Sequence, residues 1–324
     1  MVSVIIPVYN AQNTIAKCLD SILANKFNDY KIILINDGSS DDSLKVLNEY
    51  AKKYPDKIKV FNQKNQGVAV ARNNGIKLAS SKYVMFIDND DFIDSNYLGK
   101  FAEEIEIKNS DMVIGGYRRV TNQKTLFEVN LEDVEWSKYV VMAPWAKIYR
   151  RSFLLENKIE FLNSIGEDVY FNLQAINATD NISILDYCGY NWFYNEQSVS
   201  NTIKKNPSRK FDVIFLLDSC YFKLKDLGVV DKEEVEFYFV RYVVWYLLFV
   251  GRKSSYEEIY AEFISTFKWL HEKFPKFYEN KNISLINPKG ESFKNKIAVF
   301  VFMFIYSLRL TKYFLMVYSR GKGE

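Results

Sequence analysis

The feature that most constrains this chain is an alternation of two kinds of segment over about its first 120 residues. Short β-branched runs lie at Val2–Val8, Tyr30–Asn36, Ile58–Asn62, Tyr83–Asp88 and Met112–Gly115. Between them, Thr14–Ala24, Asp42–Tyr54, Val68–Ala79 and Tyr97–Lys108 carry apolar residues at the helical period. Runs such as Ile32-Ile33-Leu34-Ile35 are continuously apolar, as in strands covered on both faces. This order predicts an α/β fold: a mostly parallel, Rossmann-like sheet of right-handed βαβ units flanked by helices. Ligands of such sheets gather at the carboxyl ends of the strands. The loops after Val8, Asn36, Asn62 and Asp88 should therefore share one edge.

The pattern loosens after Gly116. A helix is expected near Arg151–Asn157 and another from Asp168 to about Ala178, with strands at Ile182–Leu185 and Tyr187–Tyr194. The polar stretch Asn201–Ser208, containing Pro207, predicts a linker. Beyond it the chain reads as helical, with aromatic-rich segments at Val235–Val250 and Ile297–Tyr318. Arg241 interrupts the first. The ten consecutive apolar residues Ile297–Tyr306 would span roughly 15 Å as a helix, against a hydrocarbon core of about 30 Å. Extending the span to Tyr318 would bury Arg309 and Lys312, at roughly 2.5–3.5 kcal/mol each near mid-bilayer. With Lys294, Lys296, Arg320 and Lys322 alongside, the segment reads as a helix on an anionic membrane surface or as a core or subunit-interface helix.

Composition excludes several classes. A net charge of +3 is too small to argue for nucleic acid as partner. Cys18, Cys188 and Cys220 form no metal or redox spacing and suit a reducing compartment. The run Val2–Val8 lacks the basic flank and cleavage site of a signal peptide, so a cytoplasmic location is expected.

Four clusters fall at the expected strand ends. Pro7-Val8-Tyr9-Asn10 contains no glycine, and neither a dinucleotide turn nor a Walker loop occurs. Tyr9 could offer a ring face to a base. Asn36-Asp37-Gly38-Ser39-Ser40-Asp41-Asp42 is a good turn and helix start, yet Asp37 faces the ligand edge, where a carboxylate can accept the imide N–H of uracil. Asp88-Asn89-Asp90-Asp91 crowds three carboxylates into four positions, an arrangement that a hard divalent cation stabilises. Mg²⁺ or Mn²⁺ bridging a pyrophosphate fits, whereas an EF-hand does not, because Phe92 and Ile93 occupy positions that need a ligand and a glycine. Gly166-Glu167-Asp168 precedes a helix, where Asp168 could serve as a cap or first-turn residue. The single histidine, His271, lies in the helical region. Any general base acting on an acceptor hydroxyl must then be a carboxylate.

In this order the clusters resemble the family 2 glycosyltransferases of bacterial polysaccharide and glycan synthesis, which have the GT-A fold and usually invert the anomeric centre. The resemblance rests on Ser3–Asn10, Asn36–Asp41, Asn65-Gln66-Gly67, Ala71-Arg72-Asn73-Asn74-Gly75, Phe86–Asp91, Trp145–Arg151 and Gly166-Glu167-Asp168. It covers about residues 2–200 and implies a nucleotide-sugar-binding catalytic domain over 1–205; the aromatic-rich helical region over 206–324 that follows is expected to make membrane-surface or oligomer contact. It further implies that Pro7, Tyr9, Asp37, Asn65 and Arg72 hold the nucleobase of a UDP-sugar. Asp88 would lie near the ribose and share the Mn²⁺ or Mg²⁺ with Asp90, its main ligand, and Asp168 would be the base. Glu167, Trp145 and Lys147 would border the sugar or the acceptor, whose hydroxyl belongs to a glycan, a lipid-linked chain or a protein. Trp145 reads equally as core packing and Lys147 as a solvated charge. One departure stands out: Tyr194-Asn195-Glu196-Gln197-Ser198-Val199-Ser200 lacks the basic residue that many relatives carry beside the diphosphate, a part left to the metal, Arg72, Lys204 or Lys205. A non-catalytic glycosyltransferase-like subunit and a nucleotidyltransferase are the competing readings. The intact carboxylates oppose the first, and the absence of a glycine-rich basic loop opposes the second.

Overall fold

Every residue of the first strand, β1 (Val2–Val8), is buried, and the continuous apolar runs of its neighbours place them inside with it. The structure, a computed structural model, describes residues 1–194, 211–251 and 254–320. The linker expected at Asn201–Ser208, the stretch Asn195–Ser200, and Lys204 and Lys205 lie outside the described residues. The chain divides into two units, Met1–Asp133 with Val141–Phe211, and Val134–Val140 with Asp212–Glu324.

In the first unit, β1, α1 (Ile15–Leu23), β2 (Tyr30–Asp37), α2 (Ser43–Lys53), β3 (Ile58–Gln63), α3 (Val68–Leu78) and β4 (Tyr83–Phe86) follow one another as the sequence pattern requires. Strands β3-β2-β1-β4 pair in parallel. Val8 lies opposite Asn36, and Asn36 opposite Asn62, so the three loops leave the sheet side by side.

The rest of the sheet is mixed. After β5 (Phe92–Ile93) and α4 (Tyr97–Ile107) come β6 (Met112–Val120), β7 (Thr125–Val129), β8 (Lys147–Arg150), α5 (Arg151–Glu156), α6 (Glu167–Asn177) and β9 (Ile182–Phe193). Strand β8 is antiparallel to both β4 and β6, β9 is parallel to β6, and β5 and β7 add antiparallel edges. Two antiparallel steps restore the original direction, so β6 and β9 end on the same edge as β4. Strand β6 runs five residues past the expected Gly115. A Cβ on Gly116 would lie 2.3 Å from the carbonyl oxygen of Val129, so glycine admits the close approach of the chain leaving β7. The two strands expected at Ile182–Leu185 and Tyr187–Tyr194 form one continuous strand with register shifts opposite Gly115 and Gly116.

The second unit contains a 3₁₀ turn at Glu135–Tyr139 and helices α7 (Val213–Asp226), α8 (Glu233–Val250), α9 (Tyr256–Lys273), α10 (Phe293–Ser307) and α11 (Thr311–Arg320). Trp136, 2% exposed, stacks on Tyr139, meets Phe237 edge-on and donates its indole N–H to Glu291 at 3.1 Å. Glu291 also pairs with Arg241. That ion pair explains how Arg241 is tolerated within the apolar helix α8, since a buried charge needs a partner. No helix among the described residues is long and apolar enough to cross a membrane.

Candidate active site

The loops after β1 and β2 are locked together before any ligand is considered. Ala11 N–H donates to Ser43 Oγ, Gln12 N–H to Asp41 Oδ2, Ser40 N–H to Asn10 Oδ1 and Asp42 N–H to Gln12 Oε1. Pro7 is buried behind this lattice, and Tyr9 stands 50% exposed at its mouth. Asp37 lies at the end of β2 with 3% exposure. Its Oδ1 accepts from Gln63 Nε2 and Gln66 N–H, both at 2.8 Å, and its Oδ2 accepts from Gly67 N–H at 2.9 Å. The carboxylate thus fixes the loop carrying exposed Asn65 and the start of α3. Gly38, at φ +69, is required here: a Cβ would sit 2.8 Å from the Asn65 nitrogen.

Helix α3 then delivers Arg72 to the centre of the site. Expected to line the nucleobase pocket, Arg72 is 3% exposed and its guanidinium gathers three carboxylates. Nη2 donates to Asp88 Oδ1 at 2.8 Å, and Nη1 donates to Asp168 Oδ1 at 2.6 Å and to Glu167 Oε1 at 3.4 Å. Ninety-six positions separate Arg72 from Asp168. The cap of α6 is Gly166, in the left-handed region with no side-chain cap bond, so Asp168 is a first-turn residue whose carboxylate bonds Arg72 instead of capping the helix. Its side chain is 34% exposed.

One guanidinium cannot neutralise three carboxylates. Desolvation raises the pKa of Asp168 to about 7; Arg72 opposes the shift, and Glu167 and Asp88 add to it. That is a suitable range for a base working near neutrality.

The Asp88–Asp91 loop is anchored twice. Asn89 Nδ2 donates to the Pro7 carbonyl at 2.9 Å. The Tyr190 hydroxyl accepts from Asp88 N–H at 3.2 Å and donates to Asp91 Oδ2 at 2.5 Å. Asp91 is 1% exposed and also accepts from Phe193 N–H. Burial, then Asp88 and Asp90, raise its pKa. Asp91 is thereby committed to joining this loop to β9, and Asp88 and Asp90 remain partly exposed. No preassembled group of three ligating side chains occurs among the described residues. Two carboxylates on an edge with excess negative charge fit Mg²⁺ or Mn²⁺, which commonly take one or two protein carboxylates and complete their shell with phosphate oxygens.

Trp145 is 6% exposed and stacks on Tyr190 at 4.6 Å with a 5° interplanar angle. Lys147 is fully buried, donating to the carbonyls of Val141 and Ala143 at 2.6 Å. Desolvation lowers its pKa to about 7. Both side chains are packed inside the fold, and Lys147 is not a solvated charge.

The site also contains residues that motif reading passed over. Tyr190 is one; in the sequence it is only an aromatic in a strand. Arg119 is the other. It is 6% exposed, its Nη1 is buried without a hydrogen-bond partner, and its guanidinium lies 3.5 Å above the Trp192 ring. Asp90 and Asp91 are close enough to favour its charged form, against the desolvation that lowers its pKa. It sits one residue before the end of β6, on the edge shared with Asp88. In the sequence its signal is the adjacent pair Arg118-Arg119 beyond Gly116.

The family model Glycosyl transferase family 2 matches residues 3–202. The chain belongs to this family. Among curated members, the poly(ribitol-phosphate) beta-glucosyltransferase of Bacillus spizizenii is 34% identical over 203 residues, covering 60% of this chain and 32% of that enzyme. The cholesterol galactosyltransferase of Borreliella burgdorferi is 28% identical over 277 residues, covering 79% of this chain and 75% of that one. The chain spans less than two thirds of the length of the first curated relatives it matches. Staphylococcus aureus TarS, residues 1–349 solved with UDP, superposes with a TM-score of 0.68 at 20% identity, over 95% of this chain and 91% of that one. The family's GT-A fold is thus the fold of this chain.

Proposed function

We propose that this chain transfers a hexosyl unit from a UDP-sugar to a hydroxyl of a glycan, lipid-linked or protein-linked acceptor, with inversion at the anomeric carbon. The observation that carries this reading is Arg72 bonding Asp88 and Asp168 through its two terminal nitrogens, so that a donor-side carboxylate and a basic carboxylate occupy one site. The names of the relatives, a glucosyltransferase and a galactosyltransferase, support the sugar class.

In this mechanism Asp168 removes the acceptor hydroxyl proton as the oxygen forms its bond to the anomeric carbon. The bond from that carbon to the diphosphate oxygen breaks on the opposite face, and the electron pair leaves with UDP. Tyr9 stacks on the base, and the Asp37-held loop bounds the base pocket. A divalent cation held by Asp88 and Asp90 would neutralise charge on the leaving diphosphate. Arg119 supplies the protein's own cation there, in place of the basic residue missing from Tyr194–Ser200.

Three measurements test this reading. Calorimetry should find UDP bound more tightly with Mn²⁺ than in EDTA, and Asp90→Asn should erase that difference while the protein remains folded. Equal affinity in EDTA, or tighter binding of GDP or CDP, would reject it. A charge-assisted hydrogen bond contributes about 1.5–3 kcal/mol. Arg119→Gln should therefore weaken UDP at least about tenfold and leave uridine unchanged. Parallel losses for UDP and uridine would mean that Arg119 only props Trp192. A hydrolysis and transfer assay over a panel of UDP-hexoses separates an enzyme from a binding subunit.

A further inference from the structure

The helical unit carries a surface that the transfer reaction does not use. Helix α10 is apolar around most of its circumference, but only one side is packed. Val299, Phe302 and Met303 are buried, as is Leu315 on α11. Phe293, Ile297, Phe300, Phe304 and Leu308 are 64%, 38%, 36%, 56% and 51% exposed. Their spacing of four, three, four and four residues puts them along one face. Tyr313 and Val317 of α11 add 60% and 68% exposed side chains.

The charge carried by these two helices has one sign. Lys294, Arg309 and Lys312 are exposed, and no carboxylate occurs from Ser292 to Arg320. Arg309 joins the two helices at φ +60, a left-handed position that usually falls to glycine or asparagine. A cavity of about 720 Å³ opens beside the stripe, lined in part by Phe300, Phe304, Arg309 and Lys312. It thus combines aromatic walls with cationic groups.

We propose that the α10–α11 face docks on a lipid bilayer containing anionic headgroups, with the aromatic stripe in the headgroup–acyl boundary and Lys294, Arg309 and Lys312 on lipid phosphates. A stripe of this kind on helices too short to span is the signature of an in-plane amphipathic contact. Charge complementarity selects the occupant. In a two-fold dimer the same patch meets itself, bringing an all-cationic rim against its own copy, whereas an anionic leaflet attracts every one of these side chains. Docking of this face on lipid is independent of the sugar chemistry.

Flotation of the 324-residue chain with vesicles, and analytical ultracentrifugation without them, test the proposal. The protein should float with phosphatidylcholine–phosphatidylglycerol vesicles and not with phosphatidylcholine alone, and high salt should weaken binding. Lys294→Glu with Lys312→Glu should weaken it by more than about twentyfold, at roughly fivefold or more per removed cation. Phe304→Ser, at an exposed position, should abolish flotation with an unchanged melting temperature. Absence of flotation, equal binding to neutral vesicles, or an oligomer that Phe304→Ser dissociates would overturn the proposal. The double charge variant keeps the apolar stripe, so it decides the matter if Phe304→Ser fails to fold.

Discussion

Replacing Asp168 with Asn is expected to slow sugar transfer by about 10²–10⁴-fold, the usual cost of a lost general base, with donor affinity retained. The amide preserves the shape of the carboxylate, and its oxygen can still accept from Arg72, but it cannot take a proton from the acceptor. The pH dependence separates this role from a packing role. With its pKa raised to about 7, the wild-type carboxyl is largely protonated below that pH and unable to act as a base. The transfer rate should rise about tenfold per pH unit up to about pH 7 and then level off. The residual activity of Asp168→Asn should lack that limb. Linkage makes a second prediction with the opposite sign. A carboxyl whose folded pKa exceeds its unfolded value stabilises the protonated fold, and that stability is lost as pH rises from about 4 to 7. Asp168→Asn should therefore melt no earlier than wild type at pH 7. A variant that melts early yet turns over normally would leave Asp168 a structural residue and redirect the search to Glu167.

The second large effect is expected at Arg72. Removing its guanidinium leaves Asp88, Glu167 and Asp168 facing one another without their shared cation. Breaking a buried ion pair costs about 3–5 kcal/mol. Because the carboxylates are 29%, 18% and 34% exposed, water compensates in part, and about 3 kcal/mol is expected for Arg72→Leu in urea unfolding. Transfer should be lost as well, because Asp168 loses both its orientation and the charge that opposes its protonation. Arg72→Lys keeps the charge but lacks the planar fork that reaches Asp88 and Asp168 from separate nitrogens, so it should restore stability more fully than activity. Unfolding within about 0.5 kcal/mol of wild type for Arg72→Leu would show that the three carboxylates do not depend on this cation.

These residues also mark how far the sequence reaches. The alternation in the first 120 residues determines the parallel half of the sheet, because a strand buried on both faces must be apolar throughout and a covering helix must repeat every 3.6 residues. The same periodicities place Tyr9, Asp37 and Asp88 on one edge. Where the sheet turns antiparallel, the periodicity no longer reports it: β8, inserted between β4 and β6, is four residues long, and β6 passes through two glycines that carry no apolar signal.

The site divides in the same way. That Asp88, Asp90 and Asp168 are present is legible in the order of the motifs. What Asp37 and Arg72 bond to is not, because hydrogen bonding depends on which atoms face each other across 29 and 96 positions of chain. Lys147 reads in the sequence equally as an acceptor-side residue and as a solvated charge; two backbone carbonyls supplied by the fold make its burial possible. Arg119 reads as one of two strand arginines, and alternation along β6 decides that it stacks over Trp192 while Arg118 pairs with Asp94. Local sequence determined the parallel half of the sheet and brought Tyr9, Asp37 and Asp88 to its carboxyl edge. Tertiary structure alone decided which charges meet there, since one buried guanidinium among three carboxylates is a property of packed neighbours in space.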